Sequence, residues 1–342
     1  MRPWLGAGAG LFLLASGLSG AGQPTSPTGS DARVVTVRDP LATVAFRAQP
    51  QRVRPMVDRA ITNLARKATL AEAWRSFART QDVIGIKVYS RPGPGSGTRA
   101  AVVAAVVEGL LATGWPPQHI IVWDKDASDL RSAGFFDLGR RYGIRVESSA
   151  DAGYDEKTFY ESVPLGKLIW GDLEFGKTGP GVGRKSFVSK LLTQKLTRLI
   201  NITPLLNHNS AGVSGNLYGL ATGSVDNVLR FENDADRLAV AVPELYALPA
   251  LGDRVVLNLT DALLCQYEGG EHGLLHYSTA LNELRFSTDP VALDVLSLRD
   301  LVEQRQAAHA PAVKTNQELY DNAALLKLGV SDLRHIVLEQ FP

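Results

Sequence analysis

The chain of 342 residues contains a single cysteine, two methionines and almost no net charge. One cysteine excludes an internal disulfide, an iron–sulfur cluster held by this chain and a cysteine-rich zinc site. Cys265 lies in the apolar run "LNLTDALLCQY", which favours a small buried hydrophobic side chain over a nucleophile. The 36 basic and 35 acidic residues nearly cancel. Because no bulk positive field exists to attract a polyanion, we expect no nucleic-acid partner.

Long apolar runs are missing after the N-terminus. Residues 1–21 have the parts of a secretory signal, with Arg2 as positive charge, Leu5–Leu18 as a short apolar run and small residues before residue 22. That run is shorter than the roughly 20 residues that span a bilayer, and its retention as an anchor is the alternative. We predict a signal peptide at 1–21, a flexible linker at 22–33 and a periplasmic or secreted chain without a transmembrane segment.

Apolar periodicity alternates between the strand and helix periods over most of the chain. Strands with continuous apolar runs, joined by helical crossovers, predict an α/β fold with a mixed, largely parallel sheet and helices on both faces. We expect one domain at 34–342, a Gly-rich excursion at 151–190 that is a candidate lid, and a hairpin at the end of the sheet. The predicted strands are "ARVVTVRD", "DVIGIKVYS", "HIIVWDK", "IRVES", "KLTRLINITP" and "DRVVLNLTDALL", and the predicted hairpin is "LLHYSTALNELRFS".

Four predicted strands end in polar or ionisable residues. Ligands of open α/β sheets bind outside the carboxyl ends of the strands, because loops and helix N-termini meet there. If these strands are neighbours, their ends form one site. The residues concerned are Arg91 after "IGIKVYS", Asp124, Lys125 and Asp126 at "IIVWDK", Asn207, His208 and Asn209 after "LINITP", and Asp261 at "VVLNLTD".

Lys87 and His208 are the candidate catalytic pair. Lys87 lies inside an apolar strand, where an ammonium needs a partner and its pKa is easily shifted; the alternative is an edge position from which it reaches solvent. His208 is flanked by Asn207 and Asn209, with Asp226 expected to return to the same site. Its imidazole is suited to move a proton or bind a metal, and the alternative is a histidine that satisfies loop carbonyls.

The loop "RPGPGSGTR" is a candidate anion site, since its glycines let backbone N–H groups approach a ligand at a helix N-terminus. The alternative is a turn with an ordinary helix cap. Asp124 and Asp261 are candidate contacts for substrate hydroxyls or a divalent metal. The candidate substrate or anion contacts are Gly95, Ser96, Gly97, Thr98, Arg99, Asn207, Asn209 and Asn216.

An ordered set of segments resembles the domain of unknown function 362 family over residues 80–340. The set comprises "IGIK", "IIVWD", "INITPLLNH" with "GVSGNLYG", "VLNLTDALLCQYEGG" and "STDPVALD". The resemblance implies an α/β domain in which Lys87, His208, Asn216, Asp261 and residues 289–294 are the recurring polar positions. The chain departs from the family at Leu206 and Gly215, where relatives commonly have lysines, and it lacks the ferredoxin-like cysteines of some relatives.

These patterns predict an exported enzyme that acts on a small polar or anionic ligand at the strand carboxyl ends. A divalent metal is a candidate cofactor, and an iron–sulfur cluster is excluded because only one cysteine is present. The alternative is a non-catalytic periplasmic ligand-binding protein that uses the same pocket. An enzyme needs Lys87 and His208 poised near the working pH, whereas a binding protein needs only hydrogen-bond donors.

Overall fold

The computed structural model describes residues 31–162, 184–270, 272–312 and 315–342. The predicted signal peptide and most of the predicted linker lie outside these ranges. Asp31–Pro342 form one compact unit, and the first strand begins at Ala32, inside the last two residues of the predicted linker. Within the described ranges, no helix combines the length and the apolar character needed to cross a membrane.

The strands form a mixed sheet, as the sequence predicts, and two small hairpins. β6, β5, β4, β9 and β11 run parallel to one another, whereas β12 is antiparallel to both of its neighbours. The strand order is β13-β1-β12-β11-β9-β4-β5-β6, with β10 paired to β9. The bounds are β1 Ala32–Arg38, β2 Thr43–Val44, β3 Arg47–Ala48, β4 Ile84–Val88, β5 Ile120–Asp124, β6 Arg145–Ser148, β7 Tyr154–Glu161, β8 Lys185–Ser189, β9 Arg198–His208, β10 Gly212–Val213, β11 Val255–Gln266, β12 Ser278–Ser287 and β13 Ile336–Phe341.

Helices cover both faces of the sheet. A capping box begins the helix Leu70–Phe77, because the Thr69 side chain accepts from the Glu72 backbone N–H and the Glu72 carboxylate accepts from the Thr69 N–H. The bounds are α1 Pro50–Ala65, α2 Leu70–Phe77, α3 Gly93–Ser96, α4 Ala100–Ala112, α5 Ala127–Ser132, α6 Phe135–Tyr142, α7 Ser149–Ala152, α8 Asn216–Gly223, α9 Leu229–Glu232, α10 Ala235–Tyr246, α11 Pro290–Ala307 and α12 Gln317–Leu325.

Two large hydrophobic cores lie on opposite faces of the sheet. One packs the sheet against α1, α2, α4 and α6, and the other packs it against α8, α10, α11 and α12. β9 contributes residues to both cores, since Ile200 and Ile202 belong to the first core and Leu199 belongs to the second. Alternate residues of a strand point to opposite faces, so a strand buried on both sides has apolar residues on each face.

Three sequence predictions differ from the structure. "LLHYSTALNELRFS" does not form a hairpin, because Ser278–Ser287 is one strand that pairs with β11 on one side and β1 on the other. β9 extends through Asn207 and His208, which pair with β10 instead of starting a loop. β11 ends at Gln266, two residues beyond the predicted end at Leu264, and its pairing with β9 shifts register after Asp261. In the predicted excursion, β7 and β8 pair as a hairpin, and 163–183 lie outside the described residues.

Candidate functional site

A cleft of about 280 Å³ opens at the carboxyl ends of β4 and β5, against α8 and the segment that follows it. The four strands whose ends were expected to meet are adjacent, in the order β11-β9-β4-β5. The lining residues are Tyr89, Arg91, Asp124, Lys125, Asp126, Asp129, Tyr218, Gly219, Thr222, Gly223, Asp226, Val228, Leu229 and Glu232. The cleft therefore lies where an open α/β sheet is expected to bind a ligand.

Lys87 and Asp124 form a buried ion pair at one wall of this cleft. Lys87 is only 1% exposed, and its Nζ donates to Asp124 Oδ1 at 2.7 Å and to the Val88 carbonyl oxygen at 2.6 Å. The other carboxylate oxygen accepts from the backbone N–H and hydroxyl of Ser90, at 2.7 and 2.6 Å. Since β4 lies between β9 and β5, the alternative of an edge lysine that reaches solvent is wrong.

Gly223 allows α8 to approach this ion pair. A Cβ atom at Gly223 would lie 2.3 Å from Lys87 Cε and 2.8 Å from its Nζ. The lysine stem thus fills the space in which any larger residue of α8 would place its side chain. The glycine-rich character of the "GLATGS" segment follows from this close packing.

The cleft has an excess of negative charge, with five carboxylates and two cationic side chains in its lining. The excess remains when Asp124 is discounted because of its pairing with Lys87. Both cations already contact the protein, since Arg91 Nη1 lies 3.7 Å from Glu232 Oε1 and Lys125 Nζ donates to the Asp226 carbonyl oxygen at 3.1 Å. The carboxylates are those of Asp124, Asp126, Asp129, Asp226 and Glu232. The unbalanced charge favours a ligand with cationic or hydrogen-bond-donating groups.

Two cleft residues have pKa values that are shifted towards neutrality. Burial lowers the pKa of Lys125, against the opposing effect of nearby carboxylates. Burial raises the pKa of Asp129, and the charges of Asp126 and Asp124 raise it further. Shifted pKa values cluster at functional sites, so Lys125 and Asp129 are candidate functional groups of this cleft. In the sequence, Lys125 directly follows β5. The catalytic role was nevertheless predicted for Lys87, because a lysine inside an apolar strand is the stronger signal.

His208 stabilises the β9–β10 turn. Its Nδ1 accepts from the backbone N–H groups of Ser210 and Ala211, at 3.2 and 3.0 Å, and its ring lies 4.2 Å from that of Tyr218. An Nδ1 that accepts two N–H groups carries no proton, so the proton of the neutral ring belongs on Nε2. His208 is not among the residues that line the cleft. Its role is structural, as in the alternative raised from the sequence, but its Nδ1 accepts from backbone N–H groups, whereas in that alternative the ring satisfies loop carbonyls.

The glycine-rich loop holds the strands together through its last residues. The Thr98 hydroxyl donates to the Ile202 carbonyl oxygen at 2.7 Å and accepts from the Tyr89 N–H at 2.9 Å. Arg99 Nη1 lies 2.9 Å from Asp261 Oδ1, and its Nη2 donates to the Gly95 carbonyl oxygen at 3.1 Å. Gly95 and Ser96 lie in the one-turn helix α3, and Gly97 follows it. The loop thus has the turn structure that the sequence offered as the alternative to an anion site.

Asp124 and Asp261 belong to different ion pairs. Asp124 contacts Lys87, whereas Asp261, which is fully buried, contacts Arg99. In the described ranges, no group of three or more histidine, cysteine, aspartate or glutamate side chains is arranged to hold a metal ion. The expected divalent-metal site thus has no ligand set in this part of the chain.

The three candidate asparagines lie apart from the cleft lining. Asn207 Oδ1 accepts from the Gly270 N–H at 3.1 Å, and Asn209 is exposed beside the same glycine. Asn216 begins α8, and its backbone N–H and Nδ2 donate to Asp294 Oδ1 at 2.7 and 3.0 Å. Asn216 thus links α8 to α11.

Asp294 is a buried carboxylate at the N-terminus of α8. It also accepts from the Leu217 N–H at 2.9 Å, and the positive end of the helix dipole favours its charge. Burial nevertheless raises its pKa to about 7, against the hydrogen bonds that lower it. In the sequence, this buried carboxylate is indicated only by a single aspartate within the apolar segment "PVALDVLSL". The family resemblance was the one feature that pointed to residues 289–294.

A larger groove, of about 490 Å³, lies between α1, α4 and α6. Four alanines of α4 line it, and its polar side chains bind each other, because Arg54 and Tyr142 both donate to Glu108. The groove is away from the strand ends and holds no group comparable to Lys125 and Asp129. The smaller cleft is therefore the better candidate site.

Comparisons with known proteins add little about function. No protein-family model matches the chain, and no curated protein matches it. A crystal structure of a Thermotoga maritima protein, a Northeast Structural Genomics Consortium target, aligns with a TM-score of 0.43 and 10% sequence identity. The alignment covers 78% of this chain and 61% of that chain.

Proposed function

We propose that this protein is an exported enzyme that binds a small polar substrate, with cationic or hydroxyl groups, in the cleft at the carboxyl ends of β4 and β5. The single observation that carries the proposal is the position and lining of this cleft, with five carboxylates against two cations. The sequence allowed a polar or an anionic ligand. The negative charge of the lining favours the first, because an anion would be repelled there.

In this proposal, Lys125 accepts a proton from the substrate and Asp129 donates one. Both side chains line the cleft, and burial lowers the pKa of Lys125 and raises the pKa of Asp129. Lys87 takes a positioning role, because its ammonium holds Asp124 in place at the cleft wall. His208 positions Tyr218, whose hydroxyl donates to Glu232 at 2.9 Å.

The second candidate is a non-catalytic periplasmic ligand-binding protein. It is favoured by the internal contacts of Lys87 and His208, the two residues first expected to carry catalysis. We also propose, from the ordered sequence segments, that the chain is a divergent relative of the domain of unknown function 362 family.

A thermal-shift screen with amines, polyols and organic acids tests ligand class first. Ligands that bind the folded state raise the melting temperature by mass action. We expect amines and polyols to do so, and Asp126→Asn to weaken the shift. Glu318→Gln, an exposed carboxylate on α12, is the matched control and leaves the shift unchanged. Stabilisation by organic acids alone contradicts the proposed ligand class.

Lys125→Met then separates the two functions. An enzyme loses turnover of the ligand found in the screen but keeps much of its affinity, because methionine retains the apolar stem without the amine. A binding protein shows no turnover in either form. Unchanged turnover in Lys125→Met contradicts the role of Lys125.

A further inference from the structure

The β2–β3 hairpin and the turn before it present apolar side chains to solvent. Leu41 is 57% exposed, Val44 58% and Phe46 41%. The hairpin is short, with Thr43 paired to Ala48 and Val44 paired to Arg47. Three large apolar side chains within six residues on one small projection are an unusual use of exposed surface.

The backbone at the tip of the hairpin is strained. Ala45 and Phe46, the two turn residues, have φ values of 47° and 62°. Two-residue hairpin turns with both φ angles positive strongly favour Asn-Gly or related pairs, whereas alanine and phenylalanine are disfavoured there. Strain that persists in a structure is concentrated at functional positions, and here it lies under an exposed aromatic ring.

The base of the hairpin is fixed by Asn282 of β12. Its backbone carbonyl accepts from the Asp39 N–H at 3.1 Å, its Oδ1 accepts from the Thr43 hydroxyl at 2.6 Å, and its Nδ2 donates to the Pro40 carbonyl oxygen at 3.3 Å. The tip is thus held out from the sheet by a firm attachment and is not a loosely attached loop.

A cavity of about 330 Å³ lies beside this base, and three arginines line it. Arg38, Arg52 and Arg59 face one acidic side chain, Asp39. Arg52 Nη1 lies 3.7 Å from Asp39 Oδ2, and Arg59 donates to a carboxylate oxygen of Pro342, so three guanidinium groups meet two carboxylates here and positive charge remains in excess. Arginine is the residue best suited to hold a phosphate group, because its planar fork matches the phosphate oxygens.

We propose that this surface docks the protein on an anionic phospholipid membrane. The apolar tip enters the interface between headgroups and acyl chains, and the arginine cavity takes the phosphate of a headgroup. Apolar insertion combined with a basic patch is how proteins bind such surfaces reversibly. A stable protein–protein interface needs about 800 Å² from each partner. Three apolar side chains provide too small a surface for such an interface, but they can insert into the headgroup region of a membrane. The proposal is independent of the ligand in the cleft.

Co-sedimentation with vesicles tests the proposal on the chain purified in its exported form. We expect binding to vesicles of phosphatidylcholine with phosphatidylglycerol, weak binding to phosphatidylcholine alone, and loss of binding as salt rises. The double variant Val44→Ser with Phe46→Ser should bind at least about tenfold more weakly, because it removes apolar area that the interface would bury. Leu325→Ser is the matched control, since Leu325 is 79% exposed on α12, on the opposite face of the sheet from α1.

A second variant separates folding from docking. Ala45→Asn with Phe46→Gly relieves the turn, so it should raise the melting temperature while it weakens vesicle binding. The proposal is overturned if the unaltered chain does not bind anionic vesicles, if either tip variant binds as well as it does, or if Leu325→Ser weakens binding equally. Binding to a purified acidic protein in place of vesicles would also overturn it.

Discussion

Removal of the buried Lys87 ammonium by Lys87→Met should strongly destabilise the fold. The ammonium is 1% exposed, and it donates hydrogen bonds of 2.7 and 2.6 Å to the Asp124 carboxylate and the Val88 carbonyl. Methionine fills the same volume, so the main loss is electrostatic. Removing one partner of a buried ion pair costs roughly 3–5 kcal/mol, because it leaves an uncompensated charge.

The structure places the expected cost near the lower end of that range, at about 3 kcal/mol of unfolding free energy. Asp124 keeps the two donors of Ser90 and the Lys125 N–H, and it borders the cleft with 6% exposure, so water relieves part of the charge. Asp124→Asn should cost a similar amount. The double variant should cost much less than the sum of both, because neither charge remains.

Urea denaturation of all four proteins, monitored by tryptophan fluorescence, measures these free energies. Trp123 is a suitable reporter because its ring lies 5.6 Å from Lys87 Nζ. Two results would refute the reasoning: a cost below about 1 kcal/mol for Lys87→Met, or additive costs of the two single substitutions. Either would mean that the pair contributes as an exposed ion pair does.

Three further predictions follow from the buried polar groups. Gly223→Ala should lower the melting temperature, because the added Cβ would lie 2.3 Å from Lys87 Cε. Circular dichroism melting measures this change, and an unchanged melting temperature would contradict the packing argument. The pKa of Asp294 is raised to about 7, so between about pH 4 and about pH 7 the folded state holds a proton that the unfolded chain has released. The unfolding free energy should therefore fall as pH rises through this range, by up to about 1.4 kcal/mol per pH unit. Urea denaturation at several pH values should show this slope, and its persistence in Asp294→Asn would assign it to other groups. Arg99→Met should cost about 3 kcal/mol of unfolding free energy in urea titrations, since it leaves the Asp261 carboxylate unpaired, and a loss below about 1 kcal/mol would contradict the buried pairing.

The fold could be predicted largely from the sequence, because continuous apolar strands and wide apolar helix faces repeat in an α/β order. Strand ends were less predictable. Asn207 and His208 look like loop residues by composition, yet they pair with β10, and β11 ends two residues beyond the predicted Leu264. A polar residue inside a buried strand is accepted when a long-range partner exists, and Arg99 as the partner of Asp261 is invisible to local pattern.

The candidate site could be predicted in part. The position at the carboxyl ends of adjacent strands, and the presence of Asp124 and Asp226, followed from sequence reasoning. The choice of Lys87 and His208 rested on residue type in an apolar or polar neighbourhood, and neither lines the cleft. Whether a lysine faces the cleft depends on which strand residue the covering helix contacts. Gly223 lets α8 pack onto Lys87, whereas Lys125 lines the cleft.

Hydrogen–deuterium exchange with and without the strongest ligand from the thermal-shift screen tests the central claim most directly. If the cleft is the binding site, bound ligand should slow exchange in residues 124–129 and 218–232, which supply most of its lining, and Glu318→Gln should show the same pattern. Slowed exchange confined to the groove between α1, α4 and α6, or no change at the strand ends, would contradict the account.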